Sequence, residues 1–207
     1  TGISNSGSVV FDQDGSESSD LYNSIISGTG GVTKTGTGNL LIDQAQTYTG
    51  ATSIDNGTLQ IQSTGDLSDS TDLSLANSTF KLNGASVGVD ELSSSSSTTT
   101  VNLVSSGTAL TVGKGDATSA TFAGKITGAG GLTIDSSNGY TQVIDNTAND
   151  YTGATTITDG TLKTGAGEVI TDTSAVVVDA NGTLDLNDNT ETVGSIDDGG
   201  VAGGNIS

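Results

Sequence analysis

The chain contains no cysteine, proline, histidine, methionine or tryptophan. Without cysteine there is no disulfide framework, thiolate metal site or thiol nucleophile. Without histidine there is no Ser–His catalysis, and with both absent zinc loses its usual ligands. Arginine is missing too, so the cations are Lys34, Lys81, Lys114, Lys125 and Lys163, scattered along the chain. Nucleic-acid binding needs clustered Lys or Arg, and an anionic membrane attracts the same clusters, so neither is an expected partner. No run approaches the ~18 apolar residues of a membrane span, and no basic start followed by an apolar run marks a signal peptide. Leu, Ile, Val and Phe make up 46 of 207 residues. That is close to the roughly 20% below which a highly charged chain stays disordered, so pattern has to decide whether this one folds.

Against five lysines stand 24 acidic residues, a formal charge of −19, together with 31 glycines. Self-comparison exposes the organisation. Residues 48–60 read YTGATSIDNGTLQ and residues 151–163 read YTGATTITDGTLK, nine of thirteen identical at an offset of 103. Upstream, ISGTGGVT at 26–33 matches ITGAGGLT at 126–133, an offset of 100. Downstream, Phe80-Lys81-Leu82-Asn83 matches Leu184-Asp185-Leu186-Asn187 at 104. The expected organisation is a single segment, 1–207, of two repeats of about 100 residues (about 1–100 and 101–200) with the start of a third at 201–207. This looks like an excerpt of a longer array.

A shorter period runs inside each copy. Apolar residues alternate in short strands such as Leu40-x-Ile42, Leu59-x-Ile61, Phe80-x-Leu82, Val101-x-Leu103, Leu132-x-Ile134 and Leu184-x-Leu186, the signature of strands with one buried face. Leu40, Leu59, Leu82, Leu103 and Ile126 lie 19, 23, 21 and 23 apart, and Leu162, Leu184 and Ile206 lie 22 and 22 apart. A coil of roughly 22 residues per rung predicts an all-β parallel solenoid with a narrow apolar core. Absence of proline suits uninterrupted ladders. The competing architecture is a pair of antiparallel sandwiches, for which Asn56-Gly57 and Asp159-Gly160 are hairpin signals. Seven aromatics and no tryptophan are thin material for two sandwich cores.

The pattern Gly-x-Gly-Gly-[Val/Leu]-Thr, followed by Tyr-Thr-Gly-Ala-Thr-x-Ile-x-x-Gly-Thr-Leu, resembles the passenger-associated transport repeat of AIDA-type autotransporter adhesins. The first copy carries it from Gly28 to Leu59 and the second from Gly128 to Leu162. In the second, Ile134-Asp135-Ser136-Ser137-Asn138 replaces the Lys-Thr-Gly-x-Gly of the first. The resemblance implies a right-handed parallel β-helix, exported through an outer-membrane translocator barrel and displayed at the Gram-negative cell surface. Adhesion, autoaggregation or biofilm formation is the implied role. The implied partners are like passengers or host and matrix glycans or proteins, with no membrane insertion of this segment. The residues of the structural motif are Tyr48, Gly50, Ile54, Gly57 and Leu59, repeated as Tyr151, Gly153, Ile157, Gly160 and Leu162. Alternatives are a carbohydrate- or matrix-binding β-helix module and a polysaccharide-cleaving β-helix.

Catalysis is not expected. Paired carboxylates could come from Asp66, Asp69 and Asp72 or from Asp197 and Asp198, but no cation accompanies them, and solvated turns are the simpler reading. No cofactor is implied. Calcium is the one ion the acidic turns could hold: Asp185–Asn189 begins like an EF-hand loop but departs from it at Thr190 and Ile196, and Asp12, Asp14, Glu17 and Asp20 form a loose cluster. The run from Ser93 to Thr100 is expected to protrude as a loop, and Tyr48 and Tyr151 are expected to pack at rung corners rather than stack on sugars.

Overall fold

In a computed structural model, residues 2–15, 19–200 and 203–207 are described; Glu17 of the acidic cluster and Val201, the expected opening of a third repeat, lie outside them. Every strand pairing is parallel, and no helix occurs among the described residues. The chain winds into a β-solenoid of about nine turns, roughly 21 residues each, with three strand stacks per turn. At about 4.8 Å per rung the rod is roughly 43 Å long.

The first face starts with Ser8–Asp12, Gly31–Thr35, Thr52–Ile54, Asp72–Leu75 and Glu91–Ser93. It continues through the Ser94–Phe122 bridge into Ser119–Phe122, Thr141–Ile144 and the later halves of two long bent strands, Thr155–Thr164 and Ala175–Asp185. The second face stacks Asp20–Tyr22, Asn39–Ile42, Gly57–Gln62, Ser78–Asn83, Thr100–Leu103 and Lys125–Gly128. The third face holds Ile3–Ser4, Ile26–Gly28 and Thr47–Tyr48, then, past the Ala45–Asp66 bridge, Val87–Val89, Ala109–Val112, Gly131–Asp135 and the early halves of the bent strands.

Alternation produces this shape. Inward residues of each face stack into one column per phase, as in Leu40–Leu59–Phe80–Val101–Ile126 on the second face, all essentially buried. Outward positions are mostly Thr, Ser, Asn and Gln, and β-branched Thr suits a half-exposed pleat. Truncating one of the buried leucines removes about 2–5 kcal/mol.

Two expectations are corrected. The ladder read from spacing put Leu82 over Leu59 and Ile126 over Leu103. Instead Leu59 lies under Phe80, Leu82 under Leu103, and Ile126 over Val101. Turns vary in length, from 19 residues between Leu73 and Leu92 to 28 between Ser94 and Phe122. Residues two apart share a phase, so spacing alone cannot choose between them. The Ser93–Thr100 run does not protrude. It makes a corner in which Ser94 and Thr99 are buried and the Thr99 hydroxyl donates to the Ser96 carbonyl at 2.8 Å. Ser96 and Thr98 reach down to Asn77 Oδ1 of the rung below. The added length of that turn is spread over the corners at 94–99, 104–108 and 113–118. The last of these is held by the buried Asp90 carboxylate, which accepts the N–H groups of Gly115, Asp116 and Ala117 at 3.1 Å each.

Candidate functional site

The repeated motif builds one recurrent local device. Tyr48 and Tyr151 are both fully buried. The Tyr48 hydroxyl meets Thr52 Oγ1 at 2.5 Å, Thr52 meets Thr71 Oγ1 at 2.9 Å, and Thr71 donates to the Gly50 carbonyl at 2.8 Å. Each hydroxyl has a single proton. Thr71 gives its proton to the carbonyl, so Thr52 must donate to Thr71 and Tyr48 to Thr52. The second copy repeats the chain: Tyr151 to Thr155 at 2.7 Å, Thr155 to Ser174 at 2.9 Å, and Ser174 to the Gly153 carbonyl at 3.0 Å. Burial pushes both phenols up to about 12, with the hydroxyl contacts opposing.

Below this chain the motif glycines sit backbone on backbone. A Cβ on Gly50 would lie 2.6 Å from the Gly30 carbonyl carbon, and one on Gly153 would lie 2.3 Å from that of Gly130. This is why Tyr-Thr-Gly follows Gly-x-Gly-Gly one turn later. At the next corner, Gly57 and Gly160 have φ of 69° and 88°, the left-handed region that glycine enters freely. Ile54, Leu59, Ile157 and Leu162 face the core. Each device therefore locks three successive rungs: a glycine seat, a tyrosine corner, and a hydroxyl from the rung above.

The two copies do not share faces. Tyr48 ends a third-face strand, and Leu59 lies on the second face. Tyr151 stands over the second-face strand Lys125–Gly128, with the Thr152 N–H donating to the Gly128 carbonyl at 2.8 Å, and Leu162 lies on the first face. The offset of 103 residues is about four and two-thirds turns, so the second copy is rotated by one face. The residue two positions before each tyrosine repeats its contact as well. Gln46 Oε1 accepts the Ile26 N–H at 2.8 Å, and Asn149 Oδ1 accepts the Ile126 N–H at 2.7 Å.

Several functional positions were not foreseen. Lys34 points inward and is fully buried, its ammonium donating to the carbonyls of Thr35 at 2.5 Å, Gly36 at 2.8 Å and Asn56 at 3.3 Å. Burial lowers its pKa, with Asp12 opposing. Gln142 is buried between Ala120 and Leu162, accepts the Tyr140 hydroxyl at 2.6 Å and donates to the Leu92 carbonyl at 3.2 Å. Three lysines are paired one rung up: Lys114 with Asp135 at 2.8 Å, Lys125 with Asp150 at 2.6 Å and Lys163 with Asp185 at 2.8 Å.

The acidic candidates do not converge. Asp185, the first residue of the calcium-like run, holds Lys163, which draws its pKa down. Asp12 accepts the Thr35 hydroxyl at 3.0 Å. Asp197 and Asp198 are exposed, accepting the N–H groups of Gly199 and Gly200. Asp66 lies on the third face, and Asp72 on the first, in register with Glu91. Burial raises the Asp66 carboxyl to about 6; burial followed by repulsion from Asp90 and Asp116 raises Asp72, and burial followed by repulsion from Asp72 raises Glu91. No group of three or more possible metal-ligating side chains occurs among the described residues. None of the seven aromatic rings lies on an open face: five are buried, and Phe11 and Tyr22 are half-buried edge to face at 5.1 Å.

The passenger-associated-transport-repeat family matches the chain at residues 32–61 and 141–164, the two stretches that contain Tyr48 with Thr52 and Tyr151 with Thr155. The chain is 34% identical over 139 residues to the adhesin BmaC autotransporter of Brucella suis biovar 1 (strain 1330), covering 66% of this chain and 4% of that protein. It is 37% identical over 84 residues to the uncharacterized protein YuaQ of Escherichia coli (strain K12), covering 41% of this chain and 6% of that one. The chain thus spans less than a tenth of either relative. No solved structure matches it.

Proposed function

Because this chain is a stretch of autotransporter passenger, of the kind displayed on the surface of the Gram-negative outer membrane, we propose that it serves as an adhesive rod, holding polar flat faces away from the cell for contact with neighbouring cells or matrix. The observation that carries this reading is the uninterrupted stack of nine turns whose outward strand positions are predominantly hydroxyl and amide side chains. Such a surface offers many weak hydrogen-bonding sites of about 0.5–1.5 kcal/mol each, and no group of three or more carboxylates converges among the described residues. The Brucella relative is itself an autotransporter named as an adhesin, which supports the same reading. A glycan-stacking role fits less well, because no ring is open to a sugar face.

The test is in-frame removal of whole turns from the parent protein displayed on a non-adherent Gram-negative host. Adhesion, settling and biofilm mass should fall while surface exposure, read with an antibody, stays constant. Unchanged adhesion at equal display would show that the segment is only a spacer.

A further inference from the structure

Four Asn-Gly pairs stand in the chain, at 56–57, 83–84, 138–139 and 181–182. An asparagine before glycine is the one most open to attack on its side-chain amide by the next backbone nitrogen, because glycine has no side chain to shield that nitrogen. The fold holds the four differently. Asn83 Nδ2 donates to Gln62 Oε1 at 3.1 Å, and Asn138 Nδ2 donates to the Gly115 carbonyl at 2.9 Å. Asn181 and Gly182 lie within the strand Ala175–Asp185, in register with Asp159 and Gly160. Asn56 instead folds back on its own glycine: its Oδ1 accepts the Gly57 N–H at 2.8 Å. With a C=O bond of about 1.2 Å, that places Asn56 Cγ within about 4 Å of the Gly57 nitrogen. Asn56 is at the same time exposed to water.

The peptide between the two residues carries a second feature. The buried Lys34 ammonium donates to the Asn56 carbonyl at 3.3 Å, and a Cβ built on Gly57 would lie 2.9 Å from Lys34 Nζ. A buried cation against this peptide stabilises negative charge on it more strongly than water would. Asp55, the neighbour on the other side, turns its carboxylate to the Ser53 hydroxyl at 2.6 Å. In the second copy both features are replaced. Ile134 stands where Lys34 stands in the first, each in register with the isoleucine of its motif, and Asp159 stands where Asn56 does.

We propose that Asn56 is a self-modifying site, an asparagine that loses its side-chain amide by attack of the Gly57 nitrogen with the Lys34 ammonium assisting. Hydroxide from solvent takes the Gly57 N–H proton, and the charge left on the peptide is held on the Asn56 carbonyl oxygen by Lys34. The electron pair of the nitrogen forms a bond to Asn56 Cγ. The Cγ–Nδ2 bond then breaks, and Nδ2 takes a proton from water and leaves as ammonia, which restores the hydroxide. The product is a cyclic imide. Water next adds to either imide carbonyl and opens the ring, giving aspartate or its β-linked isomer. In sum one water is consumed and one ammonia released, with no oxidant and no enzyme. The first copy thereby gains the acid that the second carries as Asp159, and the rod gains one negative charge with age.

The test incubates the 207-residue chain at mildly alkaline pH, folded and in urea, and follows each Asn-Gly peptide by mass spectrometry after digestion. In urea the four sites should react at similar rates. In the folded chain Asn56 should react at least about tenfold faster than Asn83, Asn138 or Asn181, and faster than it does in urea. Asp159→Asn places the same amide beside Ile134 and should react at least about tenfold more slowly than Asn56. Lys34→Met should slow Asn56 and leave Asn138 unchanged, with circular dichroism showing that the variant is folded. If it does not fold, the comparison with Asp159→Asn decides alone. Asn138 as fast as Asn56 in the folded chain, slowing of Asn56 on folding, or equal rates at Asn56 and at the amide introduced by Asp159→Asn would each overturn the proposal. So would an unchanged Asn56 rate in folded Lys34→Met. Loss of ammonia that leaves the Lys34 and Asn56 peptides joined after digestion would overturn it as well, because Lys34 Nζ would then be the nucleophile.

Discussion

The directed hydroxyl chain makes a prediction in which order matters more than size. Tyr48 is its first donor, Thr52 its middle and Thr71 its last, giving its proton to the Gly50 carbonyl. Tyr48→Phe removes one bond and orphans no donor, because Thr52 still donates to Thr71; the expected loss is about 1 kcal/mol. Thr52→Val orphans the Tyr48 proton in a fully buried place, for about 1–3 kcal/mol. Thr71→Val leaves both the Gly50 carbonyl and one hydroxyl proton without a partner, for about 2–4 kcal/mol. Tyr48→Phe combined with Thr52→Val should be no worse than Thr52→Val alone, since it removes the orphan. In a chain of this length 1 kcal/mol moves the melting temperature by about 2–4 °C, so Thr71→Val should lower it by about 5–15 °C. A rod of repeats can open one end at a time, so hydrogen exchange of the 26–75 region should accompany the melt. Equal losses for all three single variants, or the largest loss in Tyr48→Phe, would refute the assigned direction.

Three other outcomes are expected. Gly153→Ala should destabilise by several kcal/mol, about as much as a buried cavity, because its Cβ would meet the Gly130 backbone at 2.3 Å, whereas Ala at the open Gly107 pays only for its φ of 89°; equal melting temperatures for the two would refute the seat. Lys34→Met should destabilise by about 1–3 kcal/mol by orphaning carbonyls at the Gly36 and Asn56 corners, while Lys81→Met should be silent in a urea melt; a silent Lys34→Met would show that water replaces the ammonium. Stability should rise as pH falls from about 7 to about 5, because Asp66 at about 6, with Asp72, Glu91 and Glu191 also raised, binds protons more readily folded than unfolded, and this contribution is lost as pH rises through the folded pKa. The depressed Asp150 and Asp185 reverse the trend at lower pH, so melting temperature should peak in mild acid; a steady fall from pH 7 downward would contradict it.

The period, the inward phase of most strands and the tyrosine corners were legible in the sequence, because alternation and repeat identity are local. Register was not. Thr71 lies 19 residues from Thr52 and resembles any other threonine until the turn length at that point is known. Lys34 and Gln142 sit in the inward phase of Val32-x-Lys34 and Gln142-x-Ile144, yet their polarity argues for solvent; what admits them is a set of corner carbonyls for one and the small Ala120 beneath the other. The lysines looked scattered because their partners are a full turn away, at 21, 25 and 22 residues.

Rotation of the second copy by one face separates architecture from surface. Every partner of the tyrosine corner lies within one rung of it: the glycine seat below, the threonine or serine above. Nothing in that device refers to the direction it faces, so copies need only be spaced by a whole number of thirds of a turn. The outward residues that travel with the motif, Thr58 and Gln60 in one copy and Thr161 and Lys163 in the other, consequently point in different directions. A face that acts as a unit must then be composed from residues of successive rungs, most of which lie outside the motif. Lys81, Thr79, Thr100 and Asn102 are such residues on the second face. The motif therefore holds the rod together without fixing which residues make up each outward face.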